Sequence, residues 1–253
     1  MIEEPYRWVE AIANRREYIE TQLSSGSPIV ALSYAGGILL LTVGRQKLFE
    51  IYDRIALGAI GHPGDIERLR MAAIELASTE GFTRSAADVS LRRLAYYSLS
   101  PVMKNGFEQI YGAPFLARLL FVEIGTSPAE DLFLGLEYDG AISAGQPKEQ
   151  NARFAVLGGT KVSAEQMEQF LTQEHRDGDN LSAAFQLALD AWTLGHTGAS
   201  ETGEVPTREQ LGDLRKQHLK DGVVEAAVLD REIKSAVRYH ALNATELAKL
   251  TTS

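Results

Sequence analysis

The stretch from Pro28 to Gly61 constrains the fold of this chain more than any other part of the sequence. It contains two short apolar runs, Ile29–Leu32 and Ile38–Leu41, and a second pair of strand-like runs, Lys47–Ile51 and Ile55–Ile60. Between the first two runs, Gly36 and Gly37 permit the positive φ of a tight hairpin turn. The pattern predicts four strands in two consecutive hairpins.

Helix and strand signals then continue without a linker, which favours one domain over residues 1–253. Asp65 is a predicted N-cap, a further helix is expected to begin near Asp88, and Pro101 is expected to kink or end it. Asp139-Gly140 indicates a hairpin turn. The later strands are predicted at Phe115–Ile124, Asp131–Tyr138, Ala141–Ala144, Arg153–Leu157, Val223–Leu229 and Ser235–Tyr239.

Two segments lie outside this core pattern. Residues 5–23 predict an N-terminal amphipathic helix that begins with a proline in its first turn. Residues 195–221 predict an exposed Gly-, Ser-, Thr- and Glu-rich loop followed by a short helix. We expect this second segment to be a surface insertion.

Composition excludes several classes of protein. The chain has no cysteine, so it has neither disulfides nor thiolate metal sites. Its formal net charge of −9 disfavours nucleic-acid binding. No apolar run approaches the length of a membrane span, and the N-terminus has no secretory h-region. We therefore expect a cytoplasmic protein that binds no membrane.

Several motifs together resemble the α-type subunit of the bacterial proteasome core particle, in its actinobacterial branch. The most specific are ALSYAGGILL, the block QK-x₃-EIYDR, AVLGGT at Ala155–Thr160, and VEAAVLDRE near the end. The likeness runs from about residue 5 to about residue 240. It implies an α+β fold, a four-layer α/β/β/α sandwich of the N-terminal-nucleophile hydrolase type.

The resemblance also implies partners. Such subunits form seven-membered rings that cap rings of proteolytic β-type subunits, and they dock ATPase or ATP-independent activators through the activators' C-terminal tails. Their substrates are proteins. In this family the mobile N-terminal tails gate the axial pore, which here assigns the gate to Met1, Ile2, Glu3 and Glu4.

The residue types argue against catalysis by this chain. Proteasome-like hydrolases use an N-terminal Thr, tuned by its own amine and by an Asp and a Lys. The resemblance puts Pro28 at the nucleophile position and Thr42-Val43 at the place of the Asp, so only Lys47 remains. No residue is assigned a catalytic role, and no cofactor is expected.

Lys47 has two interpretations. A lysine at the start of an edge strand is usually a solvated charge that opposes aggregation. The family resemblance instead places Lys47 in a pocket between neighbouring subunits, where its ammonium receives the terminal carboxylate of an activator tail. Gly61 matches the glycine of that pocket, where a missing Cβ lets the tail approach. We favour the pocket.

Two other functions remain open. One is a divergent, self-compartmentalising peptidase, which would need cleavage beside Ser24, Ser25 or Ser27 to expose a nucleophile. The other is a free-standing ring with a binding role and no β partner. The five histidines show no metal-ligand spacing, so no metal site is predicted.

Overall fold

The two predicted hairpins lie at the centre of a computed structural model of the chain. The structure describes residues 4–109, 111–144, 153–176, 178–197, 208–220 and 222–252. The strands are β1 (Ile29–Tyr34), β2 (Gly37–Val43), β3 (Leu48–Tyr52), β4 (Ile55–Gly61), β5 (Ala117–Glu123), β6 (Leu132–Leu136), β7 (Ile142–Ala144), β8 (Phe154–Leu157), β9 (Val224–Asp230) and β10 (Tyr239–Ala241). They form two antiparallel sheets, ordered β10-β9-β2-β1-β8 and β3-β4-β5-β6-β7.

Helices cover the outer faces of both sheets. They are α1 (Glu4–Leu23), α2 (Pro63–Thr83), α3 (Leu91–Arg93), α4 (Ser100–Glu108), α5 (Lys161–Glu174), α6 (Leu181–Thr197), α7 (Arg208–His218) and α8 (Ala244–Thr252). A π-helical segment, Leu94–Leu99, joins α3 to α4. The order of layers is helix, sheet, sheet, helix, so the predicted four-layer α/β/β/α sandwich is confirmed.

The first hairpin is buried on both faces, because it has a sheet on one side and helices on the other. Every residue of β1 and β2 is buried. One set of alternating side chains, including Ile29 and Leu40, joins the core between the sheets. The other set, including Val30 and Leu41, packs with α5 and α6. Continuous burial explains why these strands read as unbroken apolar runs.

The turn of this hairpin is where the sequence predicts it, but the cause is different. Tyr34 pairs with Gly37 at the hairpin end, and neither Gly36 nor Gly37 has a positive φ. A Cβ added to Gly37 would lie 2.0 Å from the Leu229 carbonyl oxygen on β9. Gly37 is therefore required by close strand approach rather than by turn geometry.

Helix α2 begins two residues before its predicted cap. His62 is the N-cap, with its Nδ1 accepting a hydrogen bond from Gly64 N at 3.2 Å, and Pro63 opens the first turn. Asp65 lies inside that turn, where its carboxylate accepts the backbone N–H of Leu116 at 3.0 Å. The Asp65 prediction was wrong because this carboxylate is committed to a neighbouring strand.

Pro101 does not end its helix, because helical structure continues to Glu108. The segment before it widens to π geometry, and the N–H of Ser100 bonds the carbonyl of Ala95. A proline lacks the N–H that an α-helix needs and crowds the preceding turn. The widened turn lets the chain remain helical past the ring.

The last predicted strand is shifted along the chain. Ser235–Tyr239 was predicted, whereas β10 begins at Tyr239. The Asp230 carboxylate accepts the N–H groups of Glu232 and Ile233, which turns the chain away from β9. This side-chain capping competes with strand pairing.

Arg118 on β5 joins four elements through one buried guanidinium. It donates to Glu20 of α1, to Glu137 at 2.8 Å, and to the carbonyl oxygens of Gly158 at 3.2 Å and Gly159 at 2.8 Å. Its side chain is 7% exposed. The guanidinium thus ties the N-terminal helix and the turn after β8 to the second sheet.

We predict that Arg118→Met lowers the free energy of unfolding by about 2–4 kcal/mol, because two carboxylates and two carbonyls lose their donor. Arg16→Met is the matched control, since Arg16 pairs with Asp139 at 3.2 Å while 53% exposed, and we expect a loss under about 1 kcal/mol. Denaturant unfolding measures both. Equal losses would show that the Arg118 network has no special weight.

Candidate functional site

The candidate site lies where β1 begins and β2 ends. Pro28 is buried directly before β1, and its carbonyl accepts the Thr42 hydroxyl at 2.6 Å. Ser27 donates its hydroxyl to the Val43 carbonyl at 2.6 Å and accepts the indole N–H of Trp192 at 3.0 Å. The structure therefore brings together the predicted positions 28 and 42–43.

The hydroxyl groups at this point are committed to carbonyl oxygens. A nucleophilic hydroxyl needs a base within hydrogen-bond reach to accept its proton. The protons of Ser27 and Thr42 go instead to Val43 and Pro28, and a carbonyl oxygen is not such a base. The nitrogen of Pro28 is an internal amide. This geometry favours structural roles for these groups.

Lys47 lies on the connection between β2 and β3. Its carbonyl accepts the N–H of Ala59 at 3.0 Å, two residues before the end of β4 at Gly61. The predicted pair Lys47 and Gly61 therefore lies at the same end of the β3–β4 ladder. Strand β3 is an edge strand of its sheet, so both interpretations of Lys47 keep a structural basis.

A carboxylate from the other sheet holds the backbone at Lys47. Glu225 on β9 accepts the N–H of Lys47 at 3.0 Å and that of Leu48 at 3.2 Å. The side chain of Lys47 folds back over Gly44. A Cβ added to Gly44 would lie 3.7 Å from the Nζ atom of Lys47. Burial lowers the pKa of the Lys47 ammonium, and the Glu225 charge partly offsets this effect.

Gly61 is required by the fold independently of any ligand. Its φ is +141°, and an added Cβ would lie 2.0 Å from the carbonyl oxygen of Leu116. That same oxygen accepts the N–H of His62 at 2.8 Å. The space of the missing side chain is thus occupied by the segment that enters β5. The role of Gly61 in a tail pocket stays a prediction.

Two histidines that sequence reasoning did not select lie next to Trp192, whose indole donates to Ser27 of the candidate site. His196, at the end of α6, stacks on Trp192 with ring centroids 4.7 Å apart and planes 14° apart. His218, at the end of α7, meets His196 edge-on at 4.9 Å. The pKa of His196 is lowered by burial, then by the positive charges of His218 and Lys47.

Helix α7 belongs to the segment that we predicted to be an insertion, and it packs firmly on α6. Leu211 is 1% exposed, and Arg215 donates to Gln186 at 2.7 Å and lies 3.4 Å from Asp190. These contacts bring His218 to His196. The 21 residues between the two histidines hide this pairing in the sequence, although His196 does follow Trp192 by one helical turn.

The remaining predicted residues contribute little to this site. Glu4 is the first residue of α1 rather than part of a tail, and Met1, Ile2 and Glu3 lie outside the described residues. The other histidines serve the fold: His175 contacts the Ser33 carbonyl at 2.8 Å and His240 pairs with Glu246 at 3.0 Å. Among the described residues, no group of three potential metal ligands is found.

The helices bear on whether the chain could span a membrane. Within the described ranges, none combines the length and the apolar character that a bilayer-spanning helix needs.

Comparison with known proteins identifies the family. No protein-family model matches the chain. A proteasome subunit alpha from Frankia casuarinae is 32% identical over 207 residues, which cover 77% of this chain and 79% of that protein. A proteasome subunit alpha from Streptomyces coelicolor is 30% identical over 251 residues, covering 96% and 87%. One from a Parafrankia species is 29% identical over 234 residues, covering 88% and 85%.

The match to the Streptomyces coelicolor protein covers nearly the whole chain, and the architecture agrees with the fold that the resemblance implies. The chain belongs to the proteasome subunit alpha family.

Proposed function

We propose that this chain is a non-catalytic α-type subunit of a bacterial proteasome core particle. In this role it forms a seven-membered outer ring on rings of β-type subunits, controls substrate entry and docks activators for protein degradation. Family membership carries the proposal. The proline at position 28 and the donation of the neighbouring hydroxyls to carbonyl oxygens support the non-catalytic assignment.

Ring formation gives a reason for the exposed apolar groups of α1. Trp8 is 48% exposed and Tyr18 is 52% exposed, although both belong to residue types that dominate interface energetics. In a closed ring, one heterologous contact repeated around the axis covers the same surface on every subunit. The N-terminal helix is therefore our proposed contact between neighbours.

Activator docking is assigned to Lys47. The residue is half-buried at the end of a ladder, and the Glu225 carboxylate beside it is already bonded to two backbone N–H groups. A compact ammonium in this setting provides a charge-assisted hydrogen bond to a terminal carboxylate. The edge-strand interpretation predicts no such ligand, so the two are separated by measurement.

We predict that the pure chain hydrolyses no fluorogenic peptide, because Pro28 provides neither a hydroxyl nor a free amine. Ser27→Ala is expected to leave this result unchanged. Co-expression with a β-type subunit should yield particles whose native mass is a multiple of seven copies. Turnover that disappears in Ser27→Ala would support the divergent peptidase instead, and a chain that stays monomeric with and without its partner would contradict the ring.

We predict that Lys47→Ala weakens binding of an activator's C-terminal tail while leaving assembly and basal peptide hydrolysis unchanged. The lost charge-assisted bond is worth about 1.5–3 kcal/mol, roughly ten- to a hundredfold in affinity per tail. Lys47→Arg should restore binding only in part, since the guanidinium is larger and planar. Tail binding to the assembled particle is measured by fluorescence anisotropy.

The matched control for that experiment is Lys104→Ala, which removes an exposed lysine paired with Glu108 on α4. It should bind the tail like the parent, and a tail capped by an amide should bind weakly to both. Should Lys47→Ala bind as well as Lys104→Ala, Lys47 is an edge-strand charge and the docking site lies elsewhere.

We predict that deleting Met1–Glu4 raises hydrolysis of peptides by the assembled particle, because Met1, Ile2 and Glu3, which precede α1, are proposed to occupy the shared axial opening. The comparison is kcat/KM for a short peptide and for an unfolded protein, each before and after the deletion. The β active sites should react equally with a covalent inhibitor in both particles. Identical kcat/KM values would argue that these residues are not the gate.

A further inference from the structure

The family resemblance gives no role to the segment that contains α7. This segment places a second imidazole, that of His218, beside His196. Helix α7 is fixed on α6 by the buried Leu211 and by Arg215. Its last residue, His218, contacts His196 at a centroid distance of 4.9 Å. The indole beneath His196 donates to Ser27, whose hydroxyl bonds the Val43 carbonyl, and the side chain of Lys47 lies over the adjacent Gly44. Three basic groups from three different elements therefore converge at one end of the sheets.

Among the described residues, neither histidine of this cluster has an ion pair, and the charge of Lys47 is offset only in part by Glu225. His196 faces Trp192 on its own helix, His218 from α7 and Lys47 from the β2–β3 connection. The His218 ring also contacts Thr197, with 3.4 Å between its Nε2 atom and the hydroxyl oxygen. Glu225 is the carboxylate that binds the backbone at Lys47. Its oxygens accept the N–H groups of Lys47 and Leu48.

We propose that Lys47, His196 and His218 form one proton-dependent binding site for a carboxylate, so that an acidic tail end docks more strongly as the pH falls. The inference rests on the proposed docking role of Lys47 and adds two specificity-determining residues to it. On this proposal the role of α7 is to position His218, which brings a second imidazole to the ligand.

The direction of the pH effect follows from linkage. A neighbouring carboxylate stabilises an imidazolium, so the histidine pKa is higher in the complex than in the free protein. Affinity therefore rises as the pH falls through the bound value and levels off below the free value. For His196 the free pKa lies below its ordinary range. A terminal carboxyl group has a pKa of about 3.5, so the ligand stays charged over the whole pH range of the measurement.

The stack of His196 on Trp192 supplies an optical readout that does not depend on activity. An imidazolium over the indole face is a cation–π contact and a quencher of indole emission. The chain has two tryptophans, so Trp8→Phe leaves Trp192 alone. Subtracting the emission of Trp8→Phe/Trp192→Phe in the assembled particle removes the contribution of partner subunits.

In this background, Trp192 emission should fall as the pH is lowered between about pH 8 and pH 5, and His196→Gln should abolish the change. His218→Gln should move the midpoint to higher pH, since His218 lowers the pKa of His196. The control His240→Gln removes a histidine paired with Glu246 elsewhere and should change nothing. The same midpoint pH with and without the His218→Gln substitution would overturn the proposal.

The ligand probe is N-acetylalanine, compared at constant ionic strength with its amide. The free acid should raise the Trp192 midpoint and bind about two- to fivefold more tightly at the acidic end of the range, as exposed ion pairs allow. The amide should do neither. His218→Gln should lose part of the pH dependence, and Lys47→Ala should weaken binding at every pH.

The outcomes separate the two proposals. Binding that requires Lys47 but is equal across the pH range, in the parent and in both histidine variants, would refute the proton-dependent site and leave the docking role intact. No binding of the acid at any pH would contradict both. A pH-dependent affinity that His196→Gln and His218→Gln remove is the result that we expect.

Discussion

The rest of the structure depends on the burial of one hairpin between two apolar layers. Side chains of β1 and β2 alternate between a sheet on one side and α5 and α6 on the other. Each large side chain buried in this way contributes roughly 1.5–3 kcal/mol to the stability of the fold. Burial on both sides also fixes register, because a slip by one residue would exchange the two sets of side chains. The ends of the hairpin, with Pro28 and Thr42, are therefore held in fixed positions relative to both helical layers.

Charged groups then fix what apolar packing leaves free to slide. Arg118 on β5 bonds carbonyls that follow β8 in the other sheet, and Glu225 on β9 bonds the backbone at the start of β3. Each of these two interactions crosses from one sheet to the other. Both the Arg118 and the Glu225 charges have defined hydrogen-bond partners, as the cost of desolvation requires. Glu225 also sets the position of Lys47 by holding its N–H. The placement of the proposed docking residue is thus a consequence of how the sheets are joined.

The sequence predicted the features that local chemistry determines and missed those that depend on remote partners. The hairpins and the Asp139-Gly140 turn follow from a few adjacent residues, and the structure has both, with Gly140 at φ +82°. Asp65 had the right chemistry for a cap but is drawn to Leu116, 51 residues away. The strand at the end of the chain moved because Asp230 and Arg238 organise the preceding loop. The histidine pair was invisible for the same reason, since only the packing of α7 on α6 joins its members.

The same strand ends that would hold a nucleophile in a proteolytic relative offer a different chemistry in this chain. Catalysis there would need a hydroxyl, a base and a carboxylate in hydrogen-bond sequence. Here the hydroxyls of Ser27 and Thr42 hold neighbouring carbonyls in place, and the Ser27 hydroxyl also receives the indole of Trp192. The indole of Trp192 stacks on the imidazole of His196, and that imidazole contacts the ring of His218 edge-on. A hydroxyl that fixes a tryptophan thereby positions the basic groups around Lys47. On the function proposed here, residues that no longer serve bond cleavage serve as the rigid base of a binding site, which needs well-placed cations but no nucleophile.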